Sequence, residues 1–375
     1  MSQTLPELAP PSVQEARATS TTTAQDVWPR LGLRPLALGG LAAVLLGLFT
    51  LSLALGSVRI PLRDILTVLV GGEPTKATWT NIVLKFRMPK ALTATLAGAA
   101  LAVSGLQMQT LFRNPLAGPF VLGISSGASL GVALVVLAAG TTGSTLLAGL
   151  GLLGDFGLVA AASLGSASVL VLVLLVARRM NTMVLLILGL MFGYATSAIV
   201  SVLLYFSIAE RIQSYLSWTF GSFGGVTWTQ MRVLLPVVLL GLVLAAAGAK
   251  SLNALLLGET YARSMGLTVR RARFWIILSA AALAGSVTAF CGPIGFLGVA
   301  VPHLCRSLLS TSDHRVIVPA AALMGGSIAL VADVVAQMPG SQTILPLNAV
   351  TALIGAPMVS WVILRQRNLR SSFTS

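Results

Sequence analysis

Few side chains in this chain can hold a proton or a metal ion. Its 375 residues include two histidines, two cysteines and ten acids. No HExxH, GxSxG or paired-carboxylate pattern occurs, so hydrolytic and acid–base catalysis lack their usual groups. Cys291 and Cys305 lie in or beside apolar segments at no metal-ligand or disulfide spacing, and read as small buried hydrophobes. Gly248-Ala249-Lys250-Ser251 has a faint likeness to a phosphate loop. It lacks the glycine before the lysine and the upstream glycine that cradle phosphate, so ATP is not expected to bind here. Charge of either sign is scarce, at 9% of residues, against about 25% in soluble domains.

Apolar residues are abundant instead, at 56%. Runs of roughly 20 recur along the chain, enough to cross a hydrocarbon core of about 30 Å. Lipid offers the backbone no hydrogen bonds, so these runs must be helices. The expected architecture is all-α, a polytopic integral membrane protein with ten spans near 35–56, 89–109, 119–139, 157–177, 183–206, 230–249 and 274–291, a short one ending near 309, then 316–335 and 346–364. Residues 1–34, rich in Ser, Thr, Ala and Pro, are expected to form a disordered tail, and 35–375 one transmembrane domain.

The formal charge of +14 would suggest a nucleic-acid partner in a soluble protein, but the cations sit at the ends of apolar runs. Ten spans put both ends of the chain on one side. With the tail, the turn at 113, the loop at 178, the connector 250–273 and the loop 306–315, that side carries sixteen of the 24 Lys and Arg. The positive-inside rule makes it cytoplasmic. The remaining eight are external, and their cluster over 59–90 runs against the rule.

Residues 98–131 organise the chain. Gly98, Ala102, Gly105 and Gln109 share one helix face, three of them small enough for a neighbouring backbone to approach closely. Gln109 ends that face, and its amide needs a partner. Arg113-Asn114-Pro115-Leu116-Ala117 then makes a tight turn, and Gly123, Gly127 and Gly131 follow at four-residue steps. Asp333, late in the ninth span, is expected to be hydrogen-bonded near the outer surface, and His303 a satisfied polar residue. In the connector, Leu252, Leu255 and Leu256 make a short apolar face, Gly258 breaks that turn, and Gly266 ends a second one after Glu259 and Ala262. Two such short helices must pack on something, either their own helix ends or a partner's groove.

Several ordered blocks resemble the permeases of FecCD-type ABC importers. Arg87-Met-Pro-Lys90, GAALAVSG, Gln109, Asn114-Pro-Leu-Ala117 and GISSGA match the first block. LNALLLGETYARSMGL resembles the cytoplasmic coupling helices. GPIGFLGVAVPHLCR, Asp313-His-Arg315, Ala332-Asp333 and Ala349 to Pro357 resemble the C-terminal half. The pattern departs at Lys90, where Arg is usual, and at PGSQTILPLNAVTALIGAP, where Pro-Val-Gly is common.

The resemblance implies a permease of the bacterial cytoplasmic membrane that does no bond chemistry and needs no cofactor. Its partners would be a second permease copy or paralogue, two ATP-binding subunits and a substrate-binding protein. It implies a cytoplasmic gate at Asn114, Leu116, Thr182 and Met183, and a fifth span that lines the pathway through Gly189, Gly193, Ser197 and Ser201. Coupling to the ATPases would run through Leu252, Leu255, Gly258, Glu259, Ala262 and Gly266, and binding-protein docking through Arg59 and Arg63. An iron siderophore is the leading cargo, with haem and cobalamin open. An ion-coupled secondary transporter is the rival, for which the spans supply only Asp333 as a membrane acid.

Overall fold

The computed structural model describes residues 28–56, 58–137, 155–177, 179–180, 182–338 and 344–371; side chains are described over 35–360 of these, excepting 155, 156 and 182. Among the described residues the chain is helical, without strands. In order the helices are α1 Trp28–Ala54, α2 Leu62–Leu69, α3 Thr78–Phe112, α4 Ile124–Val136, α5 Asp155–Ala177, α6 Thr182–Tyr205 and α7 Ala209–Thr219. They continue as α8 Trp228–Ala247, α9 Ala249–Leu256, α10 Glu259–Ser264, α11 Val269–Cys291, α12 Leu297–Leu309, α13 His314–Gln337 and α14 Leu347–Ser371.

Among the described residues, seven helices are long and apolar enough to span a membrane, and α4, α12 and α14 add three shorter apolar segments. These ten coincide with the ten expected spans, with shifted boundaries. The first helix starts at Trp28, inside the expected tail; the rest of that tail lies outside the described residues. The second is longer than expected, because Thr78–Asn81 and a π-helical stretch Ile82–Arg87 run on into it. The third is preceded by a 3-10 turn, Pro119–Leu122, set by the proline at its start. Its expected end near 139 lies outside the described residues.

The hub is α3. Of its most apolar stretch 83% is buried inside the chain, against 22% for α6 and 11% for α1. Its small face does what the spacing predicts. A Cβ added at Gly98 would collide with the Gly325 carbonyl of α13, and one at Gly105 with the Gly298 carbonyl of α12. The backbones of α13 and α12 therefore approach α3 closely, where lipid supplies no hydrophobic drive and close packing must do the holding. Gly127 and Gly131 do the same for α4 on α5, opposite Gly165 and Ala161. Cys291 and Cys305 are buried free thiols, as their apolar setting predicts.

Two polar ends bracket this bundle. One gathers the turn after α3, the α5–α6 connection, α9, α10 and the start of α13, joined through Asn253, Asp313, His314 and Arg273. The other gathers the end of α1, the start of α3 and the ends of α11 and α13, joined through Arg87, Lys90, Asp333 and Asn348. Of the segments that the cation bias assigned to the cytoplasm, the turn at 113, the connector 250–273 and the start of α13 thus meet at one end, which agrees with that topology.

Candidate functional site

At the cytoplasmic end, α3 stops where Arg113 takes a left-handed backbone, φ 49°. The Asn114 N–H bonds back to the Gln109 carbonyl at 3.1 Å, and the Asn114 side-chain oxygen accepts the Leu116 N–H at 2.9 Å. This Asx turn is what an Asn-Pro-Leu sequence favours. Helix α12 clamps its base. His303 Nε2 donates to the Pro115 carbonyl at 2.8 Å, Gln109 Nε2 donates to the Val299 carbonyl at 3.1 Å, and Arg306 donates to Gln109 Oε1. The partner that Gln109 required is therefore α12, and His303 is the satisfied polar residue expected. Leu116 stands at the tip, half exposed.

The second expected gate position opens α6. Met183 is 66% exposed, while the Thr182 side chain lies outside the described residues. Gly189 differs from the expectation that it lines an open pathway. It is buried, and a Cβ there would collide with the Val121 carbonyl, so it seats α6 on the 3-10 turn. Gly193 packs near Ser126. Ser197 and Ser201 are exposed, as is Tyr194 beside them, and the Ser201 hydroxyl donates to the Ser197 carbonyl at 2.8 Å. The uncovered face of α6 is thus apolar, hydroxylic and aromatic, without charge.

The connector forms the two short helices expected, with Gly258 (φ 107°) between them and Gly266 (φ 83°) after the second. Its orientation corrects one expectation. Leu252, Leu255 and Ala262 are buried in this chain's own core, in one cluster with Met108 and Leu111 of α3 and Val269, Ile276 and Ile277 of α11. Short amphipathic helices satisfy their apolar sides at the first surface available, here α3 and α13 for α9 and α11 for α10. The large apolar side chains that the connector leaves exposed are Leu257, Tyr261 and Met265. These sit at four-residue steps, a signal in the sequence that the small residues drew attention away from.

Polar bonds fix the connector to the bundle. Asn253 donates to Asp313 at 2.7 Å and accepts from the His314 backbone and ring Nδ1, both at 2.8 Å. His314 Nε2 lies 2.8 Å from the Thr110 hydroxyl in the last turn of α3. Burial works against the Asp313 charge, but the Asn253 amide and the Arg315 N–H outweigh it and hold the carboxyl below its ordinary range. Glu259 binds Arg273 at 2.6 Å and Arg263 at 3.3 Å. Arg273, nearly buried, also donates to the Met180 carbonyl at 2.8 Å.

At the outer end, Arg59 and Arg63 are exposed around α2. The anomalous cluster of external cations resolves into separate roles. Arg87 caps the C-terminus of α1, donating to the carbonyls of Leu53 at 2.7 Å, Ala54 at 3.0 Å and Val58, where a cation also suits the helix dipole. Lys90 pairs with Asp333 at 3.1 Å, and Gln337 donates to the same carboxylate at 2.7 Å. Asp333 is therefore the hydrogen-bonded residue expected. Asp64 accepts the backbone N–H and the hydroxyl of Thr75, both at 2.7 Å, which hold its carboxyl below the ordinary range. No group of three or more His, Cys, Asp or Glu side chains converges among the described residues.

Comparison with known proteins gives a consistent picture. The model of the FecCD transport family matches residues 44–365. The vitamin B12 import system permease protein BtuC of Klebsiella pneumoniae is 37% identical over 332 residues, 88% of this chain and 93% of that protein. The hemin transport system permease protein HmuU of Yersinia pestis is 36% identical over 321 residues, 85% of this chain and 94% of that protein. A solved structure described as an inward-facing conformation of a metal-chelate type ABC transporter superposes with a TM-score of 0.77 at 28% identity, covering 88% of this chain and 99% of the other.

Proposed function

This chain belongs to the FecCD transport family of ABC importer permeases, and on that premise we propose that it carries an iron siderophore across the cytoplasmic membrane. It works as a permease dimer with two ATP-binding subunits and a substrate-binding protein. ATP-driven closure of those subunits moves α9 and α10, and the turn at Asn114–Leu116 and the start of α6 at Thr182–Met183 open or close in response. Arg59 and Arg63 meet carboxylates of the loaded binding protein on the outer face.

The observation that carries the cargo reading is the uncovered face of α6. Tyr194, Ser197 and Ser201 offer hydroxyls on an otherwise apolar, uncharged surface. Such a face suits a bulky organic chelate whose metal is already wrapped, and gives a bare cation nothing to exchange its water for. The relatives named for vitamin B12 and hemin, at near-equal identity, support a second reading in which the wrapped metal is cobalt or haem iron.

The test is uptake into proteoliposomes holding the permease and its ATP-binding subunits, with the binding protein outside. Labelled ferric siderophore, haem and cobalamin are offered one at a time. ATP-dependent accumulation of the siderophore alone is expected. Accumulation of haem or cobalamin instead would replace the cargo assignment. Uptake driven by an ion gradient without ATP would overturn the permease mechanism.

A further inference from the structure

The geometry points to Arg273 as the positioning residue that transmits movement of α10 to the start of α6. This rests on the permease reading above and specifies the path within one chain. Arg273 lies one turn into α11, nearly buried beneath the connector. One terminal nitrogen binds Glu259, the first residue of α10, at 2.6 Å. The other binds the Met180 carbonyl at 2.8 Å, two residues before α6 begins. The rigid plane of one guanidinium therefore holds both elements, a geometry that a lysine ammonium cannot reproduce.

Three further observations favour a moving part over a static brace. Helix α10 is only six residues long and is flanked by Gly258 and Gly266, both with positive φ, so its own backbone is a weak lever. The other tie of the connector, from Asn253 to Asp313 and His314, leads to α13 and α3 and not to α6. The Arg273 Nε–H is buried without a partner in this conformation. An unspent buried donor favours a second arrangement in which it is satisfied.

In this picture Glu259 and Met180 move together with Arg273 as α10 is pushed. Displacement of α10 thus arrives at Thr182 and Met183 without passing through the membrane core. The carboxylate of Glu259 serves the strut from inside the chain, leaving Leu257, Tyr261 and Met265 as the exposed apolar residues of the connector.

The experiment uses the full transporter with its ATP-binding subunits and binding protein. Arg273→Lys keeps the cation for Glu259 and drops the second arm. Cargo moved per ATP hydrolysed is expected to fall about tenfold, the loss of one charge-assisted hydrogen bond, with the ATP-binding subunits still attached. Wild-type transport per ATP in this variant would overturn the proposal. A distance measurement covers the case in which Arg273→Lys does not assemble. Both native cysteines are buried, so Ser264→Cys and Arg179→Cys, at exposed positions, accept spin labels selectively with Arg273 intact. Their separation is expected to stay the same between nucleotide-free and ATP-trapped states. A change of about one helical turn, ~5 Å, would refute the strut. Absence of ATP-dependent uptake by the unaltered transporter, with any of the three cargos, would instead refute the permease reading.

Discussion

Replacing Lys90 by Met removes one member of the ion pair that closes the outer end of α3 against α13. Asp333 is 4% exposed in its side chain and Lys90 23%, with 3.1 Å between the charges. At that separation the gross attraction is about 5 kcal/mol for an effective dielectric near 20. Much of it offsets the desolvation of both ions, so the net worth of the pair is small, but breaking it leaves an uncompensated buried carboxylate with Gln337 as its remaining donor. Broken buried pairs cost about 3–5 kcal/mol, and the partial exposure of Lys90 favours the lower end, about 3 kcal/mol. Thermal unfolding of the purified permease in detergent is expected to fall by about 5 °C. Lys90→Arg, the residue more usual in the family pattern, is expected to unfold near the wild-type temperature. Lys90→Met combined with Asp333→Leu is expected to recover most of the loss, because no charge is left unpaired. A double variant as unstable as the two single losses added together would refute the reasoning.

Other outcomes follow from the same geometry. Ala262→Trp is expected to destabilise the isolated permease by about 1–3 kcal/mol, since Ala262 fills a closed core position; Tyr261→Ser is expected to leave its thermal stability intact and weaken capture of the ATP-binding subunits in a pull-down. Leu116→Cys is expected to form a cross-dimer disulfide in at least one nucleotide state, as bridging needs Cα atoms within about 7 Å; absence of the band in every state, with the dimer verified, would remove the turn from the gate. Arg59→Glu with Arg63→Glu is expected to weaken binding-protein docking at low salt and less at high salt, read by surface plasmon resonance. The Asp64 carboxyl titrates below its ordinary value because Thr75 donates to it twice. Its contribution is therefore complete above about pH 4 and lost as pH falls through the lowered value, so hydrogen exchange at Thr75 is expected to quicken on acidification and to be pH-insensitive in Asp64→Asn.

The sequence by itself determined the class, the ten spans and their orientation. Hydrocarbon forces helices of fixed length, and the cation bias across loops needs no tertiary contact to be read. It also determined which faces pack: Gly98 and Gly105, or Gly127 and Gly131, mark close approach wherever the partner comes from. The partners were decided by the tertiary structure. Gln109 announces a need for hydrogen bonds, but only the fold supplies Val299 and Arg306, about 190 positions away. Lys90 and Asp333 are separated by most of the chain, and periodicity carries no information about such pairs. Orientation of the short helices was decided there too. Over six residues, α10 has too few turns to show which side is buried, and only the surface offered by α11 turns Ala262 inward and Tyr261 outward. The link from Glu259 through Arg273 to Met180 has no sequence signature, because one of its three members is a backbone carbonyl.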